Sequence, residues 1–540
     1  LRPSFRCGHR KITAIQAVQI VPVDQNVWNE LRTHPGIKRF EQSVAVERLE
    51  RFELLKERRI SMPDLRTWLN EVDKLGQLMM VDGVDWDLEL STLAEIINER
   101  SKNRPALLFD HIKDYSKGYR VAANLVSSVD RLALTLGMKP GLSELDFIQN
   151  WRRKVKEIVP VNAETASQGS IFENVRKGND INLLDFPVPR WHELDGGRYI
   201  GTDDLVISRD PEEGWVNVGT YRIMVHGPDR VGLHMSPGKH GRVHKEKYHQ
   251  QGKPFPVAVS FGHHPINFVV ASTDVPNRVN EYDYAGGILG RPLRVVKGPL
   301  TGLPLPADAE IAIEGEVGLE DVQPEGPFGE WTGYYASNQP AVPVIQIKAV
   351  YFRNDPILCG FPLLKPSSGD NLHFSLMRSA LIWNALDETG VPDVKAVWCH
   401  PAGGRFLTVI SIKQRYPGHA KQAGMIASQC RSGAYLGRYV VVVDEDVDIT
   451  NSEEFLWALS SRSDPAQSID ILRRAWSGPL DPRISRDEVG HSSRAVIDAT
   501  RPYEWRDKFP KVSGHSAELK NKVRKKWEKV LDERTQQGRS

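Results

Sequence analysis

Between residues 165 and 350 the chain is cut into short apolar runs by Gly and Pro clusters, and that punctuation constrains the fold more than any other feature. Val257-Ala-Val-Ser-Phe261, Phe268-Val-Val270, Leu293-Arg-Val-Val296 and Glu310-Ile-Ala-Ile-Glu-Gly-Glu-Val317 read as short strands. Gly298-Pro-Leu-Thr-Gly302 and Leu303-Pro-Leu-Pro306 separate them. Regularly spaced short strands with turn signals predict a barrel or a sandwich.

On both sides of this segment the rhythm is α/β. From Met62, Asp64 is placed to cap a helix carrying Leu65, Leu69 and Val72; a second helix starts at 93–97, and Ala106-Leu-Leu-Phe109 has the texture of a buried strand. After 350 come a helix over 372–387, an apolar segment near Phe406, a helix over 419–430 and the strand Tyr439-Val-Val-Val-Val443. A chain of 540 residues exceeds what one core supports, roughly 250–300 residues. The predicted division is a poorly defined extension (1–61), an N-terminal α/β domain (62–164), the β-rich domain (165–350), a C-terminal α/β domain (351–510) and a terminal amphipathic helix and tail (511–540). That helix aligns Val523, Trp527, Val530 and Leu531 on one face, for docking on its own core or on a partner subunit.

The extension has two readings. Arg2, Arg6, Arg10 and Lys11 with no acid before Asp24 suggest a transit peptide, whereas Glu47, Glu50, Glu53 and Glu57 fit better with sequence upstream of a start near Met62. A net charge of +2 gives no electrostatic case for nucleic acid or a membrane surface. No apolar run approaches the roughly 20 residues of a spanning helix, so a soluble protein is expected. Cys7, Cys359, Cys399 and Cys430 show no C-x-x-C spacing, which argues against a disulfide framework and suits a reducing cytoplasm.

There is no Walker loop, no G-x-G-x-x-G opening a helix, no H-E-x-x-H and no G-x-S-x-G. The chemistry-bearing residues instead gather in four clusters of the β-rich segment. In Trp215-Val-Asn217-Val-Gly-Thr220-Tyr221-Arg222, period-two alternation puts Asn217, Gly219, Tyr221 and Ile223 on one face of a strand and Arg222 on the other. His234-Met-Ser-Pro-Gly-Lys239-His240 presents an ammonium and an imidazole on a loop. Glu281-Tyr-Asp-Tyr-Ala-Gly-Gly287 leads a carboxylate into small residues that allow close backbone approach. An Asn oxygen, an imidazole and a carboxylate suit manganese or magnesium better than structural zinc. Pro324-Glu325-Gly-Pro-Phe-Gly-Glu330-Trp331 holds two carboxylates on a stiff loop beside bulky apolar groups. Burial raises such a carboxyl toward neutrality and makes it a proton donor, while Arg222 nearby keeps the other ionised.

In this order the clusters N-x-G-x-Y-R, S-P-x-K-H-G, E-Y-x-Y-A-G and P-E-G-P-F-G-E resemble the UbiD family of reversible decarboxylases, which depend on prenylated FMN. The similarity runs from Met62 to Pro510. It implies an N-terminal α/β domain, a central split β-barrel of the flavin-reductase kind and a C-terminal α/β oligomerisation domain. It implies that Asn217, His240 and Glu281 hold a divalent ion, usually manganese, against the cofactor phosphate. Trp215, Ala271, Ser272 and Glu281 would surround potassium, partly through backbone carbonyls. Thr220, Tyr221, Arg222, Lys239, His240 and Arg438 would line the cofactor; Lys239 either pairs with phosphate or points outward, and Arg438 stands where relatives often carry Lys.

The implied reaction is non-oxidative loss of carbon dioxide from an aromatic, heteroaromatic or α,β-unsaturated acid, free or as an aryl-CoA thioester, through a covalent adduct with the modified flavin. Arg222, Glu325 and Glu330 form the implied catalytic network, with Glu330 the proton donor, Arg222 binding carboxylate and Glu325 positioning Arg222. His373, Phe374, Ser375 and Tyr435 are candidates to complete the substrate pocket. A flavin prenyltransferase would supply the cofactor, and the protein would form a homodimer or hexamer. Two rival classes are a split-barrel flavin oxidoreductase, which needs neither the Glu pair nor the metal shell, and a non-catalytic subunit of a carboxylase complex, which would show degenerate catalytic positions.

Overall fold

The computed structural model describes residues 64–101, 104–273, 275–276, 278–336, 338–366, 371–485, 490–528 and 530–531; the extension over 1–61, with Cys7 and Met62, lies outside the described residues. The helix Leu65–Lys74 starts at a capping box: the Asp64 carboxylate accepts from the Thr67 N–H at 2.7 Å, and the Thr67 hydroxyl accepts from the Asp64 N–H at 3.2 Å. Its apolar stripe, Leu65, Trp68, Leu69 and Val72, packs against Ala106, Leu108 and Ala122 of a four-stranded sheet. That sheet runs Leu78–Asp82, Ala106–Asp110, Arg120–Ala123 and Ile357–Cys359. Its last strand comes from beyond the central segment and returns to lie parallel to Arg120–Ala123.

The central sheet is antiparallel, in the order Tyr199–Gly201, Arg222–Gly227, Arg230–His234, Gln339–Phe352, Ile311–Glu325, Phe255–Phe261, Asp204–Arg209 and Val216–Gly219; Asn174–Lys177 pairs with Gln339–Phe352. Each edge strand of this order is linked along the chain to the strand next to the opposite edge. Gly201 passes through Thr202 and Asp203 into Asp204, and Gly219 through Thr220 and Tyr221 into Arg222. Two links of two residues can span only if the sheet curls until its edges meet, and no ladder joins those edges. The result is a split barrel. Val206, Val257, Val259, Ile311 and Ile313 fill its interior, while Leu205, Ile207, Ala258 and Ala312 face outward into a second core shared with helices. Burial on both faces is why these strands read as continuous apolar runs rather than alternating ones.

The C-terminal sheet has the order Val394–Cys399, Leu407–Ile412, Tyr439–Asp444, His491–Ala499 and Ile469–Trp476, parallel in its middle and antiparallel at both edges. Helices Leu372–Glu388 and His419–Gln429 pack on it.

Three local expectations change. Phe268-Val-Val270 is not a strand but part of the helix Pro265–Ala271, with Pro265 in its first turn and the His264 ring accepting from the Ile266 N–H at 3.2 Å. A short run buried all round carries no period to separate the two states. The segment 215–223 is two strands, broken at Thr220-Tyr221 where the chain crosses the split. The terminal helix, Ala517–Lys526 among the described residues, buries nothing; Val523, Trp527, Val530 and Leu531 stand about half exposed, so its apolar face does not dock on this chain's own core.

Glu310, fully buried, ties the N-terminal helix to the barrel: it accepts from Arg66 at 2.8 and 2.7 Å and from Arg353 at 3.1 Å, and from the Ile357 N–H at 3.2 Å. Removing one charge of a buried network leaves the other uncompensated. Glu310→Gln is expected to cost about 3 kcal/mol, read as a lowered Tm in thermal unfolding; an unchanged Tm would show that Asp64 and backbone carbonyls alone satisfy the two arginines.

Candidate active site

A cavity of about 230 Å³ opens where the barrel is split. The two chain crossings form one wall, with Gly201, Thr202, Asp204, Thr220 and Arg222. The end of the helix Pro265–Ala271 contributes Phe268, Ala271 and Ser272, and the loop after Glu325 contributes Phe328, Glu330 and Trp331. Further lining comes from later in the chain, with Phe361, Leu363, Phe374, Arg405 and Leu480.

Arg222 opens its strand at the split and is pinned by two carboxylates. Its Nε and Nη2 donate to the two oxygens of Glu325 at 2.7 and 2.8 Å, and Nη1 donates to Glu330 at 2.6 Å. Its guanidinium lies 5.0 Å over the Phe328 ring. The Tyr199 hydroxyl donates to Glu325 at 2.8 Å. The loop carrying both acids is held by close packing. Gly326 has φ +94°, and a Cβ at Gly329 would stand 2.6 Å from the His192 ring. The Gly329 N–H donates to Asp195 at 3.0 Å, beside which His192 sits.

The two glutamates are driven in opposite directions. Burial pushes the Glu330 carboxyl up, and its single contact with Arg222 only partly offsets this. Burial would also raise Glu325, but two Arg222 hydrogen bonds, the Arg222 charge and the Tyr199 hydroxyl together hold it below its ordinary value. One acid is therefore disposed to carry a proton and the other a charge.

A second constellation lies on the strand Val216–Gly219 and two helix starts. His240 is not on a loop, as the sequence suggested, but is the first residue of the helix His240–Gln250, and Glu281 is the first of Glu281–Leu289. The Tyr221 hydroxyl accepts from Asn217 at 3.4 Å and from the Gly241 N–H at 3.2 Å, drawing Asn217 toward the His240 helix. Glu281 accepts from the Val218 N–H at 2.8 Å. It is 7% exposed, and among the described residues no basic side chain pairs with it. Desolvation pushes it up to about 7. A buried carboxylate with no basic partner among the described residues, together with an amide and an imidazole on neighbouring elements and a helix N-terminus, is chemically a set that would suit a divalent ion and a phosphate. Trp215 packs edge-on to His240 at 4.8 Å, and Lys239 lines the cavity.

Other expected residues do not join this site. His373 is fully buried, its ring between Phe268, Phe361 and Phe374, and desolvation pushes it down to about 3. Phe374, the next residue on that helix and itself among the expected pocket residues, does line the cavity. Ser375 is buried, and Tyr435 packs on Trp476 at 4.9 Å, neither lining the cavity. Arg438 pairs with Asp481 and lies 4.8 Å over Phe406. Sequence inspection passed over Tyr199, Asp195, Asp204 and Arg405. Asp204 is fully buried in the cavity wall, and burial pushes its carboxyl well above its ordinary range. The one signal for it was an acid pair, Asp203-Asp204, opening an apolar strand.

Three family models match the chain in succession: the 3-octaprenyl-4-hydroxybenzoate carboxy-lyase N-terminal domain over 69–147, its Rift-related domain over 163–366 and its C-terminal domain over 371–499. The chain belongs to the UbiD family. As a member it is a carboxy-lyase, and its reaction class is decarboxylation. It is 33% identical over 477 residues to a phenolic acid decarboxylase of Bacillus subtilis, covering 87% of this chain and 98% of that one. It is 28% identical over 486 residues to a pyrrole-2-carboxylic acid decarboxylase of Pseudomonas aeruginosa, covering 86% and 97%. The structure of the UbiD-class enzyme HmfF from Pelotomaculum thermopropionicum with FMN superposes with a TM-score of 0.74 at 30% identity, covering 85% of this chain and 98% of that one. An evolved dimeric form of HmfF has been solved with prFMN, at a TM-score of 0.71 and 29% identity over 84% and 97% of the two chains. Among the described residues of this UbiD-family protein, no helix is long and apolar enough to cross a membrane.

Glu281 gives a pH signature in metal-free protein. The folded state holds its proton more tightly than the unfolded chain, so the associated stabilisation is full below about 4.5 and is lost as pH rises to about 7. The loss is expected to reach about 3 kcal/mol. Tm followed from pH 4 to 8 should fall in wild type and stay flatter in Glu281→Gln; parallel curves would contradict the burial of an unpaired carboxyl.

Proposed function

We propose that this UbiD-family protein removes carbon dioxide, reversibly and without oxidation, from an aromatic, heteroaromatic or α,β-unsaturated carboxylic acid, free or as an aryl-CoA thioester. The observation that carries this is one arginine shared by two buried glutamates with opposed proton affinities. Arg222 donates to the substrate carboxylate from N–H groups beyond the three already engaged. Glu325 and Tyr199 hold its plane and keep its charge compensated. Prenylated FMN, when bound, supplies the electron sink for the pair left behind as carbon dioxide departs. Glu330, whose affinity for a proton is raised by its burial, gives its proton to the carbon that lost the carboxylate, and takes one back in the reverse direction. Phe328, Trp331, Phe361 and Phe374 exclude water from that carbon.

Asn217, His240 and Glu281 would hold manganese or another divalent ion against the cofactor phosphate, with Lys239 and the N-terminus of His240–Gln250 facing the same phosphate. Trp215, Ala271, Ser272 and Glu281 would hold potassium, the carbonyl-rich end of the helix Pro265–Ala271 favouring a cation. Thr220 and Tyr221 would border the cofactor. For Arg438 to reach phosphate it must exchange Asp481 for it. A flavin prenyltransferase supplies the cofactor, the exposed face of the terminal helix suits a homo-oligomer, and the cytoplasm is the proposed compartment.

Glu330→Gln is expected to retain flavin and metal while losing carbon dioxide release and solvent-deuterium exchange at least 100-fold, about 3 kcal/mol; full activity would remove Glu330 from the reaction. His240→Ala should emerge without divalent metal and with weakened flavin binding, measured by elemental analysis and absorbance; normal occupancy would defeat the metal assignment.

A further inference from the structure

The net charge of +2 is not spread evenly over the chain. A second cavity, of about 820 Å³, lies on the C-terminal sheet and is lined by five arginines, Arg438, Arg473, Arg474, Arg483 and Arg494. Among the described residues no acid and no lysine lines it, and it shares no lining residue with the active-site cavity. Two of the arginines owe their place to a break in the sheet. Across the outer pair of strands Leu472 stands opposite Arg494 and Ala475 opposite Ser492, so Arg473 and Arg474 together face Ser493 alone. Regular pairing sends neighbouring side chains to opposite faces; the extra residue lets both line the same cavity. Arg474 takes φ +58° there, a left-handed conformation uncommon outside glycine and asparagine and of the strained kind that collects at ligand sites.

Arg494 is 1% exposed, and among the described residues no carboxylate pairs with it. It donates to the carbonyl oxygens of Ala434 at 2.6 Å, of Ser493 at 3.4 Å and of Trp476, while its Nε meets no acceptor. Desolvation works against its charge; Asp481 opposes this, but Arg378 and Arg438 add to it, and Asp481 is already paired with Arg438. A buried cation so placed is costly unless an anion meets it. Arg473, Arg474 and Arg483 are exposed. Three exposed arginines alone would be a solvated surface. Gathered on one cavity with a buried, uncompensated arginine, they suit a multiply charged anion.

Guanidinium forks meet phosphate oxygens two at a time, and several forks on one cavity suit two linked phosphates better than one carboxylate. Tyr439, 46% exposed, lines the same cavity and offers a ring face to a planar base, and Ser492 and Ser493 offer hydroxyls. The volume is that of a small-molecule site, roughly 300–1,000 Å³. We propose that this cavity is a binding site for a nucleotide diphosphate, with the phosphates on Arg494, Arg473, Arg474 and Arg483 and the base against Tyr439. The site stands apart from the decarboxylase reading. Its diphosphate belongs either to a free nucleotide or to the nucleotide end of a thioester substrate, for Leu480, which lines the active-site cavity, is next in the chain to the Asp481 that pairs with Arg438.

Holoenzyme, loaded by co-expression with a flavin prenyltransferase so that its cofactor site is filled, is titrated calorimetrically with ADP, AMP and adenosine. ADP is expected to bind about tenfold or more tightly than adenosine, with AMP between them, and added salt should shrink the difference. Arg474→Asn, which accepts the left-handed backbone, combined with Arg483→Gln should remove the preference while leaving Tm and adenosine affinity unchanged. Arg483→Lys alone should keep part of it. Equal affinity for ADP and adenosine in wild type overturns the proposal. An ADP preference untouched by the double variant also overturns it, and a changed oligomeric state in that variant would then assign the arginines to a contact between copies. Coenzyme A and its carboxybenzoyl thioester separate the two sources of diphosphate. A thioester that binds about tenfold or more tightly than coenzyme A marks a substrate handle, ring and handle then being held together, and equal binding marks a free nucleotide.

Discussion

The arrangement of the whole cavity follows from how Arg222 is neutralised. A buried guanidinium is costly unless its charge and its donors are met, and here two glutamates meet them unequally. Glu325 takes two of the hydrogen bonds and most of the charge, helped by Tyr199, whereas Glu330 takes one. That inequality separates the two proton affinities. A symmetric arrangement would leave two similar carboxyls, neither poised to hold a proton next to a reacting carbon.

The split barrel makes such an arrangement possible. A closed barrel fills its interior with side chains, but here the edge strands are joined only by chain crossings at Thr202-Asp203 and Thr220-Tyr221. The gap between them is the cavity. Arg222 stands at the rim of that gap because the crossing ends there. Tyr221 and Val218, just before it, reach the starts of two helices through Gly241 and Glu281, so the groups proposed to bind phosphate and carboxylate gather on one short segment.

Much of this was legible in the sequence, and the residues show why the rest was not. Strands such as 257–261 and 310–317 were readable because turn residues delimit them, and the four polar clusters were readable because each keeps its chemistry local. Bulky apolar neighbours implied that one acid of the pair would be buried, whereas which of Glu325 and Glu330 carries the proton came from the family resemblance alone. Phe268-Val-Val270 misled because a fully buried run has no period. His373 misled in the opposite way: its helix is apolar on nearly every side, so nothing in its spacing shows whether residue 373 or residue 374 faces the cavity. Tyr199 and Asp195 were missed because their contacts exist only across long separations, such as the 126 positions between Tyr199 and Glu325.

The Trp331–Phe406 stack, centroids 5.7 Å apart, has a consequence for how such a protein changes over time. It is the seam between a wall built on the barrel, which carries Arg222 and Glu330, and a wall built on the C-terminal part of the chain, which carries Phe374 and Arg405. Residues on opposite sides of a seam, without shared partners, tend to alter stability and binding independently. Substitutions on the C-terminal side can therefore change what packs against Phe374 while leaving the Arg222–Glu325–Glu330 network in place.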